Sequence, residues 1–170
     1  GLEALIRWNH PMHGILTPDR FIGVAEISGL SERITRWVLN EVCSQINRWR
    51  RVRPDFDVPV SVNVAGREMG STALPTLVRS ALAKHGIDPH LIVLEITERT
   101  LVKESDVDND VLAELAALGV GLVLDDFGTG YSMMGYLKRM PITALKIDQS
   151  FIEGIPGDAD SRAIVHAMIA

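Results

Sequence analysis

Five short runs in this chain are strand-like, and each is apolar on one side and polar or charged on the other. Side chains alternate across a strand, so parity assigns the faces. In the run 2–8, Glu3, Leu5 and Arg7 share a side opposite Ala4, Ile6 and Trp8. In 58–65, Ser61 and Asn63 oppose Val60, Val62 and Val64. In 91–97, Glu95 opposes Ile92, Leu94 and Ile96; in 120–125, Asp125 opposes Leu122 and Leu124; in 143–148, Lys146 and Asp148 oppose Leu145 and Ile147. An open parallel sheet buried under helices on both faces would be apolar throughout its strands. A (β/α) barrel accounts for the pattern: apolar faces meet surrounding helices, while polar residues point inward near the strands' C-terminal ends, where such barrels keep their active sites.

The stretches between these runs carry helical signals. Thr17-Pro18 opens a helix that Gly29 is placed to end. Ser31 caps a longer one in which Ile34, Trp37, Val38, Val42, Ile46 and Trp49 recur at three- and four-residue steps. Arg50, Arg51 and Arg53 suit its C-terminal dipole, and Pro54 stops it. Leu74, Leu77, Val78, Ala81 and Leu82 form another stripe before Gly86. Asp106 opens a helix carrying Val107, Val111, Leu112, Leu115 and Leu118 before Gly119. A short helix is expected over 132–140, and a last one begins near Asp160. Strands alternating with helices give an α/β fold with parallel strands.

The inward residues Glu3, Asn63, Glu95, Asp125 and Lys146 suit either an ion-pair network filling the barrel or a metal site. Buried charges cost several kcal/mol each when taken from water, and the acids here outnumber the one lysine. Oxygen ligands from Asp, Glu and an Asn carbonyl are what Mg²⁺ or Mn²⁺ prefer, which favours the metal reading. The adjacent Asp125 and Asp126, followed by Gly128 and Gly130, can turn toward one site where the strand gives way to a loop. An aldolase-like Schiff-base role for Lys146 is disfavoured, because neighbouring carboxylates raise its pKa rather than depress it.

Charge and cysteine content narrow the class further. Seventeen basic and twenty-two acidic residues give a net charge of -5, which argues against broad binding to a DNA or RNA backbone. The single Cys43 suits a reducing compartment and a small apolar filler role. No apolar run approaches the ~20 residues of a membrane span. Trp8, Trp37 and Trp49 read as packing residues, and the five histidines show no metal-ligand spacing. The chain opens straight into a strand and closes inside a helical pattern, so it reads as a portion of a longer chain.

The sequence resembles the EAL domain, the cyclic di-GMP phosphodiesterase family of bacterial signalling. The name-giving motif stands as Glu3-Ala4-Leu5, followed by Arg7. The resemblance continues through Asn9-His10-Pro11, Phe21-Ile22 with Ala25-Glu26, Ser61-Val62-Asn63, Leu94-Glu95-Ile96-Thr97-Glu98, the stretch from Asp125 to Ser132, and Lys146-Ile147-Asp148. It implies a modified TIM barrel of which about five of eight strands are present.

By resemblance, Glu3, Asn63, Glu95 and Asp125 are metal ligands and Asp126 serves a second Mg²⁺ or Mn²⁺. Lys146 orients the attacking water, and Asp148 supports Lys146. Glu98 steadies the 126–132 loop, which also lies near a homodimer interface. Arg7 contacts a substrate phosphate and Leu5 lines the same pocket. The implied reaction opens cyclic di-GMP to linear pGpG in the bacterial cytoplasm, with sensory or GGDEF domains in the parent chain and, as an option, a membrane tether supplied by its other parts. A catalytically inactive receptor or protein-interaction domain of the same family is the alternative. Met133-Met134-Gly135 departs from the expected loop pattern. The family's remaining strands, with a further metal-binding glutamate, the general-base glutamate and a glutamine, are expected beyond Ala170, so residues 1–170 alone are expected to be inactive.

Overall fold

A computed structural model describes residues 1–98, 101, 109–129, 137 and 140–169. Strand β1 (Leu2–Ala4) is shorter than the run 2–8 suggests. After it the chain forms an antiparallel hairpin of β2 (Trp8–His10) and β3 (Gly14–Leu16). His10 makes the turn: its Nδ1 accepts from the backbone N–H of Met12 at 3.1 Å and of His13 at 3.2 Å. Gly14 closes it at φ 67°, a conformation that glycine adopts without strain.

The Thr17-Pro18 signal produces a single helical turn over Pro18–Arg20, without a side-chain cap, and then helix α1 (Ile22–Ile27). Gly29 follows at φ 69° and stops it. Helix α2 (Ser31–Val52) begins at Ser31, but Leu30 takes the N-cap position and Ser31 gives no cap. The Ser31 hydroxyl is instead buried, without a hydrogen-bond partner among the described residues. The inner stripe of α2 is Thr35, Leu39, Val42, Cys43 and Ile46, whereas Trp37 lies outside it and is half exposed.

Next come β4 (Val60–Asn63), the one-turn helix α3 (Gly66–Met69), and α4 (Ala73–His85), ended by Gly86 in the left-handed conformation. Strand β5 (Ile92–Thr97), helix α5 (Asn109–Ala117) and strand β6 (Gly121–Phe127) follow. Strand β7 (Ala144–Ile147), a helical turn over Gln149–Phe151 and helix α6 (Ala159–Ile169) complete the described chain. The expected cap at Asp106, Val107, Gly130, Ser132, Met133-Met134-Gly135 and nearly all of the 132–140 helix lie outside the described residues.

The sheet is parallel, in the order β1-β4-β5-β6-β7, so each strand lies beside the next one of the sheet in sequence. With helices between the strands as far as β6, this is the arc of an incomplete (β/α) barrel. The outward face follows the parity reading. Val62, Leu94, Ile96, Leu122 and Leu124 are fully buried against Leu39, Cys43 and Ile46 of α2, Leu74 and Val78 of α4, and Leu112 and Leu115 of α5. Each such side chain contributes about 1.5–3 kcal/mol by leaving water. Burial also pushes the Cys43 thiol up to about 11, so it is an inert part of this core. No helix among the described residues is long and apolar enough to cross a membrane.

Candidate active site

Strand register brings the inward residues to one place. Asn63 stands beside Glu95 across β4 and β5, and Thr97 beside Asp125 across β5 and β6. Lys146 on β7 reaches back across this surface. Its Nζ donates to Glu95 Oε2 at 2.7 Å, with Glu3 Oε2 and Asp125 Oδ2 each at 3.6 Å. The Asn63 amide donates to the other Glu3 oxygen at 2.9 Å. Four strands thus contribute an ion-pair cluster anchored on Glu95, which is 2% exposed. Burial works against the Lys146 charge, but the hydrogen bond and charge of Glu95, with Asp125 and Glu3, outweigh it and hold the ammonium's pKa above its usual value.

The two aspartates at the end of β6 meet the cluster through a local break in the strand. The β6–β7 register shifts between Leu124 and Phe127, and Asp126 adopts φ 55°. Alternation would send Asp126 to the outer face; the irregularity keeps it near Asp125 while Phe127 enters the core. The backbone N–H of Asp126 donates to Asp125 Oδ1 at 3.0 Å. Burial, then the charges of Asp125 and Asp148, raise the Asp126 pKa, with Lys146 opposing. Downstream, the Gly128 N–H donates to Glu98 Oε2 at 2.9 Å, and Glu98 is 2% exposed. The carboxylate of Glu98 therefore holds the turn that carries Asp126.

Asp148 lies at the end of β7, where the Ser150 hydroxyl and backbone N–H both donate to its Oδ1, and these bonds lower its pKa. Ser150 is a site residue that the sequence reading missed. The Asp-x-Ser spacing, which favours a local side-chain turn, was its available signal.

A cleft of about 700 Å³ opens next to the cluster. Leu5, Asn63, Thr97, Asp126, Glu26 and Thr35 are among the residues that line it. Glu3, Glu95, Asp125 and Lys146 lie beside it on the open inner face of the sheet. Arg7 lines a neighbouring groove of about 590 Å³ with Trp8, Phe21 and Trp37, and its Nη1 donates to the Ile6 carbonyl at 2.9 Å. Trp8 and Trp37 are thus half-exposed groove walls rather than interior packing, whereas Trp49 stacks on Phe56 at 5.0 Å.

Among the described residues no three His, Cys, Asp or Glu side chains close on one point as metal ligands. The oxygens of Glu3, Glu95 and Asp125 turn to the lysine instead. Among the described residues, three carboxylates against one ammonium nevertheless leave two negative charges unmatched, and Asp126 adds another nearby. An all-oxygen donor set with surplus negative charge fits a hard divalent cation.

The sequence profile of the EAL domain matches residues 1–170. The chain belongs to the EAL domain family. It is 43% identical over 170 residues to the bifunctional diguanylate cyclase/cyclic di-GMP phosphodiesterase MucR of Pseudomonas aeruginosa, a match covering 100% of this chain and 25% of that protein. It is 42% identical over 169 residues to the cyclic di-GMP phosphodiesterase NbdA of the same organism, covering 99% and 22%. The chain therefore spans about a quarter of the length of these curated relatives.

Solved EAL structures agree on the fold. The MucR phosphodiesterase in complex with c-di-GMP superposes with a TM-score of 0.88 at 43% identity, covering 97% of this chain and 66% of that one. The EAL enzyme Bd1971, bound to cAMP and cyclic-di-GMP, gives 0.86 at 34% identity, covering 98% and 46%. The FimX EAL domain of Pseudomonas aeruginosa, at 22% identity and a TM-score of 0.86, covers 98% and 66% and shares the fold.

Proposed function

We propose that, within the complete EAL domain, this site hydrolyses cyclic di-GMP to linear pGpG with Mg²⁺ or Mn²⁺. The observation that carries the reading is the placement of Lys146 among Glu3, Glu95 and Asp125, at the strand ends beside a cleft of about 700 Å³. The relatives named as cyclic di-GMP phosphodiesterases support it.

Glu3, Asn63, Glu95 and Asp125 would hold one cation, and Asp126 would contribute to a second. When bound, such ions supply a nucleophilic water at neutral pH and positive charge against the phosphate oxygens. Lys146 Nζ has three N–H groups and spends one on Glu95 at 2.7 Å. Its other carboxylate neighbours stand at 3.6 Å, beyond hydrogen-bond length, so two N–H groups can orient the attacking water. That water attacks one phosphorus, the P–O bond to the ribose 3′ oxygen breaks, and the linear dinucleotide keeps a 5′ phosphate.

Glu98 holds the Asp126 turn through Gly128. Leu5 would lie against the ligand from the cleft wall. Arg7 would meet a substrate phosphate, which requires its side chain to leave the Ile6 carbonyl. The 126–132 segment is proposed as a homodimer contact, tested by light scattering of charge-reversal variants there. A cytoplasmic location follows if the substrate is the cytoplasmic messenger.

The test is turnover of the complete domain carrying Glu95→Gln or Asp125→Asn. Each change keeps the shape and removes one ligand charge, so turnover should fall by orders of magnitude while the domain still unfolds cooperatively. Wild-type turnover in both variants would overturn the reading.

A further inference from the structure

We propose that a small pocket adjoining the cleft binds a primary alkylammonium group through Glu68 and Ser31. The pocket has a volume of about 170 Å³, and Glu26, Ser31, Glu32, Glu68, Leu74 and Leu77 are among the residues that line it. Glu68 is 6% exposed. Its Oε2 accepts from the Thr35 hydroxyl at 2.7 Å, while its Oε1 is buried without a partner among the described residues. The Ser31 hydroxyl is buried and unpartnered in the same way. Buried polar atoms are nearly always paired, because leaving one unpaired is costly. Two unpaired side-chain oxygens on residues of one pocket therefore point to a ligand that supplies the missing donors.

The chemistry of the wall selects that ligand. An ammonium has three N–H donors and no acceptor. Glu68 Oε1 and Ser31 Oγ can take two of them, and a carboxylate oxygen of Glu32 or Glu26 the third. Both buried oxygens turn out to the pocket surface by rotation about side-chain torsions. Burial, with the charges of Glu32 and Glu26 adding, raises the Glu68 pKa, and an ammonium beside it supplies a counter-charge. The dipole of α2, about half a positive charge at Ser31, opposes a cation, and the Glu68 carboxylate alone exceeds it. A divalent metal fits less well, because no three carboxylates among the described residues close on one point. Three hydrogen bonds need only three separate acceptors. Leu74 and Leu77 offer an apolar strip to a methylene stem. The volume suits one short chain, since drug-sized ligands occupy pockets of about 300 Å³ or more.

The pocket shares a wall with the cleft. Glu26 and Ser31 line both, and Thr35, which lines the cleft, donates to Glu68. Positive charge there offsets the carboxylates of the cleft wall, so an anionic ligand in the cleft should bind more tightly. This coupling rests on the reading of the cleft as the cyclic di-GMP site; the ammonium site itself does not.

The experiment uses the complete protein that carries this domain. Putrescine (1,4-diaminobutane) is titrated calorimetrically without substrate, at fixed ionic strength. Glu68→Gln keeps the shape and removes the charge, so it should weaken putrescine binding about 10–100-fold. Ser31→Ala should weaken it about 5-fold. Tetramethylammonium carries the charge without an N–H donor and should not bind. Lysine capped at both its amino and carboxyl ends is titrated in parallel. Putrescine binding the tighter assigns the site to free amines, and capped lysine binding the tighter assigns it to a lysine of a partner protein; either result supports the ammonium site. In turnover of cyclic di-GMP, saturating putrescine should lower the KM about 5-fold in the wild type and leave it unchanged in Glu68→Gln. Equal putrescine affinity in the wild type and Glu68→Gln would overturn the inference, as would tetramethylammonium binding as tightly as putrescine. A crystal structure grown in putrescine with only ordered water in the pocket would overturn it too. Putrescine binding that depends on Glu68 in a protein that does not turn over cyclic di-GMP would uphold the site and defeat the hydrolase reading alone.

Discussion

Replacing Lys146 by methionine keeps much of the side-chain volume and deletes the ammonium that, among the described residues, the carboxylate cluster shares. Glu95 loses a 2.7 Å hydrogen bond while remaining 1% exposed at its side chain, and Glu3 and Asp125 lose their shared counter-charge. Breaking a buried pair from one side costs about 3–5 kcal/mol. The lysine side chain is 40% exposed, so solvent already weakens the pair, and about 2 kcal/mol is the working figure. For a domain of this size that is a fall in Tm of about 4–8 °C in chelator.

The same deletion leaves the three carboxylates without a cation among the described residues, so Mg²⁺ should stabilise the variant more than the wild type. At a hundred times its Kd a ligand adds about 2.7 kcal/mol, enough to restore what the substitution removes. Turnover should stay low, because no N–H group remains at that position to orient the water. Thermal unfolding of both proteins in chelator and in saturating Mg²⁺, followed by a turnover assay, gives all four comparisons. The reasoning is refuted if the variant is as stable as wild type in chelator, or if Mg²⁺ shifts neither protein.

Glu68 gives a pH-dependent test away from the cluster. It is buried, accepts from the Thr35 hydroxyl at 2.7 Å, and has its other oxygen without a partner among the described residues; burial raises its pKa. The folded chain therefore binds this proton more tightly than the unfolded chain, so stability from the neutral form is complete below about pH 4 and is lost as pH rises through the folded value. Glu68→Gln should gain about 1–2 kcal/mol at pH 8 and almost nothing at pH 4 in thermal unfolding; a gain independent of pH would contradict this. Gly128→Ala forces a Cβ onto Phe151 and Met168 at φ 102°, so it should cost about 1–3 kcal/mol and reduce turnover as well. Among the described residues β1 and β7 are the outermost strands of the sheet, so residues 1–170 expressed alone should self-associate in light scattering and should not turn over cyclic di-GMP.

Much of the site could be read from parity alone. Glu3, Asn63, Glu95, Asp125 and Lys146 alternate with Val62, Leu94, Leu124 and Leu145, and a period of two settles their face once the strands are parallel. Asp126 was harder, because alternation places it outside, and only the break in register and its positive φ bring it back. The hairpin of β2 and β3 was missed because the pattern continues past Ala4 without interruption, although Pro11 and Gly14 are turn residues. Helix α3 is four residues long, too short for a helical period to show. Ser31 looked like a cap, but a hydroxyl can cap only if its residue stands just before the helix. Here that position falls to Leu30, and Ser31 turns inward.

The central claim is metal-dependent hydrolysis, and product analysis tests it most directly. Cyclic di-GMP is incubated with the complete domain in Mn²⁺ and, separately, in excess chelator, and the nucleotides are separated by chromatography. The account predicts pGpG in the first sample and unchanged cyclic di-GMP in the second. Equal consumption in chelator would contradict the metal's role. Cyclic di-GMP bound yet unchanged in Mn²⁺ would make the domain a receptor and contradict hydrolysis itself.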